Sequence, residues 1–357
     1  MSNERENSPI IIAGPCSVES REQTLATCLG IAEGGYATML RGGVWKPRTS
    51  PKCFQGVGEC GLEWLREAKT QTGLPFGVEV ANARHVELSL HNGADMVWLG
   101  ARTTGNPFSV QEIADALRGT NITILVKNSM MPDIGIWIGA VERLVQSGVA
   151  ESNIMLVHRG FSFTSDNTYR NPPLWHLALE MRSRMPELKM LCDPSHICGR
   201  TETIPATIQE AADLMYDGLF VESHADPSHA LSDARQQLTP SALGNILKNI
   251  SWRRETPATN TYDKELQRLR LEIDQIDSQL FGLLSHRMKV SDKIGKLKLE
   301  NNITILQRKR WSEVVERWSE MATQLGLSRE FVHSILDAVH MESIAHQNEI
   351  MNRTKKQ

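Results

Sequence analysis

"KMLCDPSHICGR", residues 189–200, runs a short apolar segment, Met190-Leu191-Cys192, straight into Asp193, Pro194, Ser195 and His196. An Asp and a His three residues apart at the end of a buried strand cost free energy unless partners or a ligand satisfy them. The other apolar runs before residue 250 end in the same way. Cys16 follows "IIIAG" (10–14) and Arg41 follows "ATML" (37–40), while Glu79 lies within "FGVEV" (76–80). Arg102 follows "MVWLG" (96–100), Lys127 ends "TILVK" (123–127), and His158 with Arg159 closes "IMLVH" (154–158). The stretch "GLFVE" (218–222) brings Glu222 and His224.

Between these eight runs lie amphipathic stretches such as "GLEWLREAKTQTG", "SVQEIADALRG" and "WIGAVERLVQSG", with apolar residues at helical spacing and a terminal Gly. Eight β-α units in about 250 residues fit an α/β fold of the (β/α)8 (TIM) barrel type. An open doubly wound sheet alternates similarly. Polar groups after every strand favour the barrel, whose working residues sit at the C-terminal strand ends.

At 357 residues the chain has room for one large and one small domain. A net charge of -3 gives no electrostatic reason to expect nucleic acid, and residues 263–357 balance 16 Lys+Arg against 14 Asp+Glu. The opening "MSNERENSPI" is polar, and no apolar run approaches the ~18 to 20 residues of a membrane span. Six cysteines, none in a CxxC pair, suit free thiols in a reducing compartment. These features together give the expectation of a cytoplasmic protein.

Apolar periodicity lapses at "SWRRETPATNTYDKE" (251–265), which places a barrel at 1–250, a linker at 251–262 and a second domain at 263–357. That domain carries no strand signal. Leu266, Leu269, Ile273, Ile276, Leu280 and Leu283 keep a three-four spacing along a helix of some 35 residues, and its length suggests packing against another chain. Helices over roughly 304–324 and 328–350 follow, the last opened by Ser328.

Arg41, Lys46, Arg48, Arg102, Lys127 and Arg159 all fall at one barrel mouth. Six like charges in one cleft repel each other unless the ligands are polyanions, and Arg forks match phosphate and carboxylate. Taken singly, each is as readily a solvated surface residue. Cys16, His196, Glu222 and Asp233 add a thiol, an imidazole and two carboxylates, a donor set suited to Mn2+, Fe2+, Co2+ or Zn2+. Alone, Cys16 reads equally as a small buried hydrophobe and Asp233 as a helix cap.

The motifs "AGPCSVES" (13–20), "LRGGVWKPRTSP" (40–51), "LGAR" (99–102), "LVKN" (125–128), "VHRG" (157–160), "DPSH" (193–196) and "VESHADPSHALSD" (221–233) resemble the 3-deoxy-D-arabino-heptulosonate 7-phosphate (DAHP) synthases, in the branch shared with 3-deoxy-octulosonate 8-phosphate synthases. The resemblance implies condensation of phosphoenolpyruvate with erythrose 4-phosphate, with release of phosphate. It implies a divalent metal, Mn2+ first among the choices, on Cys16, His196, Glu222 and Asp233. Phosphoenolpyruvate then belongs to Arg41, Lys46, Arg102, Lys127 and Arg159, and the aldose phosphate to the Lys46-Pro47-Arg48-Thr49 turn. Lys46 is placed to move a proton, and Asp193 or His158 to orient water; Asp193 also reads as the orienting neighbour of His196. "KPRTSP" favours the heptulosonate over the octulosonate enzymes, which remain an alternative.

In the tail, Arg287 and Lys298 return to one helix face about three turns apart, and Arg270 serves the same ligand most easily from a second chain. Arg310, Ser343 and Gln347 complete a polar pocket, although spacing alone favours reading these as ordinary charges on a solvated helix face. "LRLEIDQIDSQLFGLLSHRMKVSDKIGKLK" (269–298) and "MESIAHQNE" (341–349) are similar to the all-helical chorismate mutases, which implies an intertwined homodimer converting chorismate to prephenate. Arg270, Arg287, Lys298, Gln307, Arg310, Ser343 and Gln347 fall on that family's binding positions, with Lys298 and Gln347 beside the ether oxygen. Where the family has an Asp and, four residues on, a Glu, this chain has Gln307 and Trp311. The expectation is therefore a fused enzyme with feedback on the barrel by prephenate or chorismate; the alternative is a synthase whose tail only binds ligand and dimerises.

Overall fold

Eight short strands close into one parallel barrel in chain order: β1 (Ile10–Gly14), β2 (Met39–Gly42), β3 (Phe76–Val80), β4 (Met96–Leu99), β5 (Thr123–Lys127), β6 (Ile154–His158), β7 (Lys189–Cys192) and β8 (Gly218–Glu222). β8 returns to β1 in the register Ile10↔Gly218 through Gly14↔Glu222. The computed structural model describes residues 8–48, 50, 52–162, 168–253 and 260–353. It divides into two units, Met1–Glu255 and Thr256–Gln357.

Side chains alternate across each strand. Ile12, Met96, Trp98, Leu125, Val157, Leu191 and Phe220 form the core inside the barrel. Ile11, Ala13, Leu40, Val78, Val97, Val126 and Leu156 face outward to the helices. The helices are α1 (Arg21–Glu33), α2 (Cys60–Thr72), α3 (Ala83–His91), α4 (Ala101–Thr104), α5 (Pro107–Ala116), α6 (Ile134–Gln146), α7 (Trp175–Arg184), α8 (Pro194–Cys198), α9 (Ile204–Asp213) and α10 (Pro240–Lys248). Several start as their sequences dictate, with Ser20, Asn82, Asp133 and Thr239 accepting a backbone N–H of the first turn. This parity decides which strand residues reach the mouth. Arg41, Glu79, Lys127 and Glu222 share the inward parity of the barrel core, whereas His158, one residue beyond inward Val157, faces out.

The second unit is α11 (Asn260–Glu300), α12 (Arg308–Leu325) and α13 (Arg329–Arg353), with α11 and α12 both packed on α13. Helix α11 is longer than its periodicity suggests and begins at Asn260, within the expected linker. Ser328 accepts the Phe331 N–H at 3.2 Å, capping α13. Along the N-terminal and central stretch of α11, Leu271, Phe281 and Leu283 remain 62%, 70% and 68% exposed.

Candidate active sites

At the barrel mouth Cys16 lies in the loop after β1. Its backbone N–H donates to Gln237 Oε1 (2.9 Å), its thiol to Asp233 Oδ2 (3.3 Å), and Lys46 Nζ donates to its Sγ (3.2 Å). Glu222 ends β8; its Oε2 accepts from Gln236 Nε2 at 2.7 Å, while Oε1 has no hydrogen-bond donor among the described residues and sits 3.3 Å from Arg41 Nη2. Asp233 adopts φ +46°, a left-handed conformation that Asp tolerates, and accepts from Arg170 Nη1 (3.0 Å) and Arg48 Nη1 (3.3 Å). One donor atom from each of Cys16, Glu222 and Asp233 lies within 4.8 Å of the others. His196 joins them, with Nε2 3.8 Å from Glu222 Oε1 and Nδ1 2.8 Å from Asp193 Oδ2. The thiol, the imidazole and Glu222 Oε1 converge as a mixed S/N/O set, which fits a borderline divalent ion.

The opening stretch now has its geometry. Asp193 caps α8 by accepting the His196 N–H at 3.1 Å, and Pro194 occupies the first helical turn. The other Asp193 oxygen accepts from Lys127 Nζ at 2.7 Å. Asp193 is fully buried; burial raises its pKa, but His196 and Lys127 outweigh that and hold it well below the usual range. Burial lowers His196 below its ordinary value despite Asp193, leaving a neutral imidazole with a lone pair to offer. Burial, then Glu222, pushes the Cys16 thiol up to about 12. A cation that binds there must therefore displace a proton.

Around this set the cations gather. A cleft of 150 Å3 is lined by Lys46, Pro47, Arg48, Arg102, Lys127, Arg159 and His196, together with Glu79, Arg170 and Asp233. Arg41 is buried, its guanidinium 4.5 Å from the Phe220 ring and 5.0 Å from Trp98, with Nε and Nη1 lacking a partner among the described residues. A buried guanidinium with free donors suits an anion. Arg159 donates to Asn171 Oδ1 at 3.0 Å, and although burial lowers it to about 10 it stays charged at neutral pH. Burial also lowers Lys127, which Asp193 only partly offsets. Gly100, in "LGAR", admits this arrangement, because a Cβ there would meet Glu79 Oε1 at 2.1 Å. Thr49 lies outside the described residues.

One expectation is corrected. His158 does not face the mouth: its Nε2 lies 2.7 Å from Pro173 O and its Nδ1 accepts from Tyr216 Oη at 2.8 Å, among Trp137, Phe161 and Trp175. The physical reason is strand parity, and the residue belongs to the packing outside β6. Burial lowers its pKa to about 4. Between the unfolded value near 6.5 and the folded value near 4 the unfolded chain binds the extra proton, so stability falls as pH drops. Denaturation between pH 7 and 4 is expected to include a loss of about 3 kcal/mol that His158→Gln lacks. An unchanged pH slope in that variant would contradict the assignment.

Arg170, Asn171 and Gln236 were not singled out from sequence. Arg170 bridges Asp233 and Gln236 (2.8 Å), and Asn171 Nδ2 donates to His196 O at 2.7 Å. They sit in loops, where no apolar run marks their direction; the dipeptide's place in the long β6–α7 connection was the available signal.

In the helical unit a cavity of 530 Å3 is lined by Arg287, Lys298, Gln307, Arg310, Ser343 and Gln347, with Trp311 in its wall. Arg287 donates to Ser343 Oγ, Lys298 Nζ to Gln347 Oε1 (3.1 Å) and Ile305 O (2.6 Å), and Gln347 Nε2 to Ser291 Oγ (3.1 Å). Arg270 does not line it; it lies about 26 Å along α11 from Arg287. Gln307 is the N-cap residue of α12, and Trp311 stacks on His340 with ring centroids 3.8 Å apart.

A parallel eight-stranded barrel whose mouth gathers cations around a mixed donor cluster defines a (β/α)8-barrel enzyme that handles polyanions. The chain belongs to the DAHP synthetase I family, which it matches over residues 2–256, and residues 269–348 match chorismate mutase type II. It thus joins a synthase domain to a mutase domain. It is 36% identical over 228 residues to a phospho-2-dehydro-3-deoxyheptonate aldolase of Thermotoga maritima, covering 64% of this chain and 64% of that protein's length. A 2-dehydro-3-deoxyphosphooctonate aldolase of Azoarcus sp. is 27% identical, over 62% of this chain and 82% of its own. The crystal structure of the Thermotoga maritima DAHP synthase superposes with a TM-score of 0.60 at 32% identity, covering 68% of each chain. Among the described residues no helix is long and apolar enough to cross a membrane.

Proposed function

We propose that the barrel condenses phosphoenolpyruvate with erythrose 4-phosphate to DAHP, and that the helical unit rearranges chorismate to prephenate. The observation that carries the first reading is the buried guanidinium of Arg41, whose Nε and Nη1 have no partner among the described residues, together with a cleft lined by five further expected cations. Arg41, Lys127, Arg102 and Arg159 hold the phosphate and carboxylate of phosphoenolpyruvate, and the Lys46-Pro47-Arg48 turn holds the aldose phosphate. Cys16, His196, Glu222 and Asp233 would bind a divalent cation, Mn2+ or a similar ion. When bound, it supplies positive charge that polarises the aldose carbonyl. Burial lowers Lys46, while Cys16, Glu79 and Glu222 raise it, with the balance upward; its ammonium is thus charged and placed to donate a proton to the oxygen formed from that carbonyl. Asp193 fixes His196 and Lys127 rather than water, since both its oxygens are engaged.

In the tail, Arg287, Arg310 and Lys298 hold the two carboxylates of chorismate, and Lys298 with Gln347 stabilises the ether oxygen. The exposed apolar residues of α11 from Leu271 to Leu283 support a homodimer in which the partner subunit completes the pocket, bringing in a copy of Arg270. Prephenate or chorismate bound there inhibits the barrel, a feedback that the joining of two domains makes direct. A second reading, a tail that binds without turning over, is favoured by Trp311 standing in the cavity wall.

The deciding experiment assays full-length protein for DAHP formation with erythrose 4-phosphate and with arabinose 5-phosphate, with and without chelator and prephenate, and for chorismate loss. Chelator-sensitive activity with the four-carbon sugar, inhibited by prephenate, is the expected result. Preference for arabinose 5-phosphate would replace the barrel reading. Saturable chorismate binding without conversion would leave the tail as a sensor.

A further inference from the structure

The tail cavity presents four cations, Arg287, Lys298, Arg310 and Arg317, and among the described residues no carboxylate lines it. Such a wall holds carboxylates well, but cations only donate, so a hydroxyl on the ligand needs an acceptor from elsewhere. Two of the nearby acceptors are engaged, since Ser343 Oγ receives Arg287 and Gln347 Oε1 receives Lys298 at 3.1 Å; among the described residues this leaves Gln307 and His340 as lining side chains with an acceptor to offer, and of the two only His340 is held in plane by a stacked ring. His340, on α13, lines the same cavity and makes no hydrogen bond within the described residues. Its ring stacks on Trp311 with 3.8 Å between centroids and 22° between planes. That contact fixes the plane of the imidazole and leaves its two nitrogens free at the edge.

The charged groups facing His340 are Arg287 and Lys298 from α11, Arg310 and Arg317 from α12, and Asp337 on its own helix. Burial, then Arg287, lowers its pKa below the ordinary value, with Asp337 opposing. The imidazole is accordingly neutral near pH 7 and keeps one lone pair.

We propose that His340, braced by Trp311, accepts the hydrogen bond of the ring hydroxyl of a cyclic dicarboxylate bound in this cavity, and so determines its specificity. The inference rests on the reading of the cavity as a chorismate and prephenate site. Both compounds carry a ring hydroxyl and two carboxylates, so the cations read the anions and His340 reads the hydroxyl. A site built to pair a hydroxyl discriminates against the analogue that lacks it, because the paired group is then left unsatisfied.

The test is calorimetric titration of the full-length chain with prephenate and with its deoxy analogue lacking the ring hydroxyl, with far-UV circular dichroism to confirm the fold of each variant. The wild type is expected to favour prephenate by roughly tenfold. His340→Leu should abolish that preference, and His340→Asn, which keeps an uncharged acceptor, should restore part of it. A wild type with no preference, or a preference that survives in His340→Leu, overturns the assignment of His340. Failure of the wild type to bind prephenate at all overturns the underlying reading of the tail instead.

Discussion

Cys16→Ala is expected to yield a folded protein that retains no divalent cation after dialysis and forms DAHP at least roughly 10^3-fold more slowly. The fold survives because the change removes one buried sulfur, a loss of about 1 kcal/mol or less. On the proposed ligand set the metal should be lost, because the remaining donors, His196, Glu222 and Asp233, are already partly committed. Glu222 Oε2 is held by Gln236 (2.7 Å), and Asp233 by Arg170 (3.0 Å) and Arg48 (3.3 Å), and among the described residues no other side chain offers a soft donor in place of the sulfur. The sign with pH follows from the thiol. Burial holds it protonated up to about 12 without an ion, so uptake at pH 7 releases a proton and affinity rises with pH. Metal content, buffer-dependent binding enthalpy and thermal unfolding read the three parts separately. An active, chelator-resistant Cys16→Ala protein would refute the ligand set.

The barrel was legible because its signal is repeated. Eight apolar runs, each ended by a polar residue, leave few arrangements that satisfy them all, and every expected strand forms, Ile10–Gly14 through Gly218–Glu222. What the runs did not convey was direction. Arg41 and Lys127 turn inward and His158 outward, although all three lie in the last two positions of their strands, because a shift of one residue exchanges the two faces. Inward Val157, packed with Trp98 and Phe220, sets the parity of β6 once the register is known. Arg170 was hidden for another reason: it acts from a loop, where no periodicity assigns a facing. In the tail, the spacing of Arg287 and Lys298 located one wall of the cavity, whereas the Trp311–His340 stack joins two helices and has no signature within either.

Lys298→Ala is expected to lower chorismate conversion by roughly 10^2- to 10^3-fold while leaving uninhibited DAHP formation unchanged. The rearrangement is pericyclic, so no nucleophile is required, and the pocket contributes positioning and charge. Lys298 is central to the second contribution. Its ammonium is held by Ile305 O at 2.6 Å and Gln347 Oε1 at 3.1 Å, so it is oriented before the ligand arrives and spends little on reorganisation when negative charge grows on the ether oxygen. Burial lowers its pKa, which sharpens it as a proton-sharing donor without a carboxylate nearby to quench it. Lys298→Arg keeps the charge but not the compact geometry and should recover only a part of the rate. The partition between kcat and KM separates this from a binding defect: a group acting on the developing charge lowers kcat, whereas one that merely holds a carboxylate raises KM. A Lys298→Ala protein with an unchanged kcat would move the electrostatic role to Gln347 or to the partner subunit, and Trp311 would then be read as closing a pocket that selects a ligand instead of transforming it.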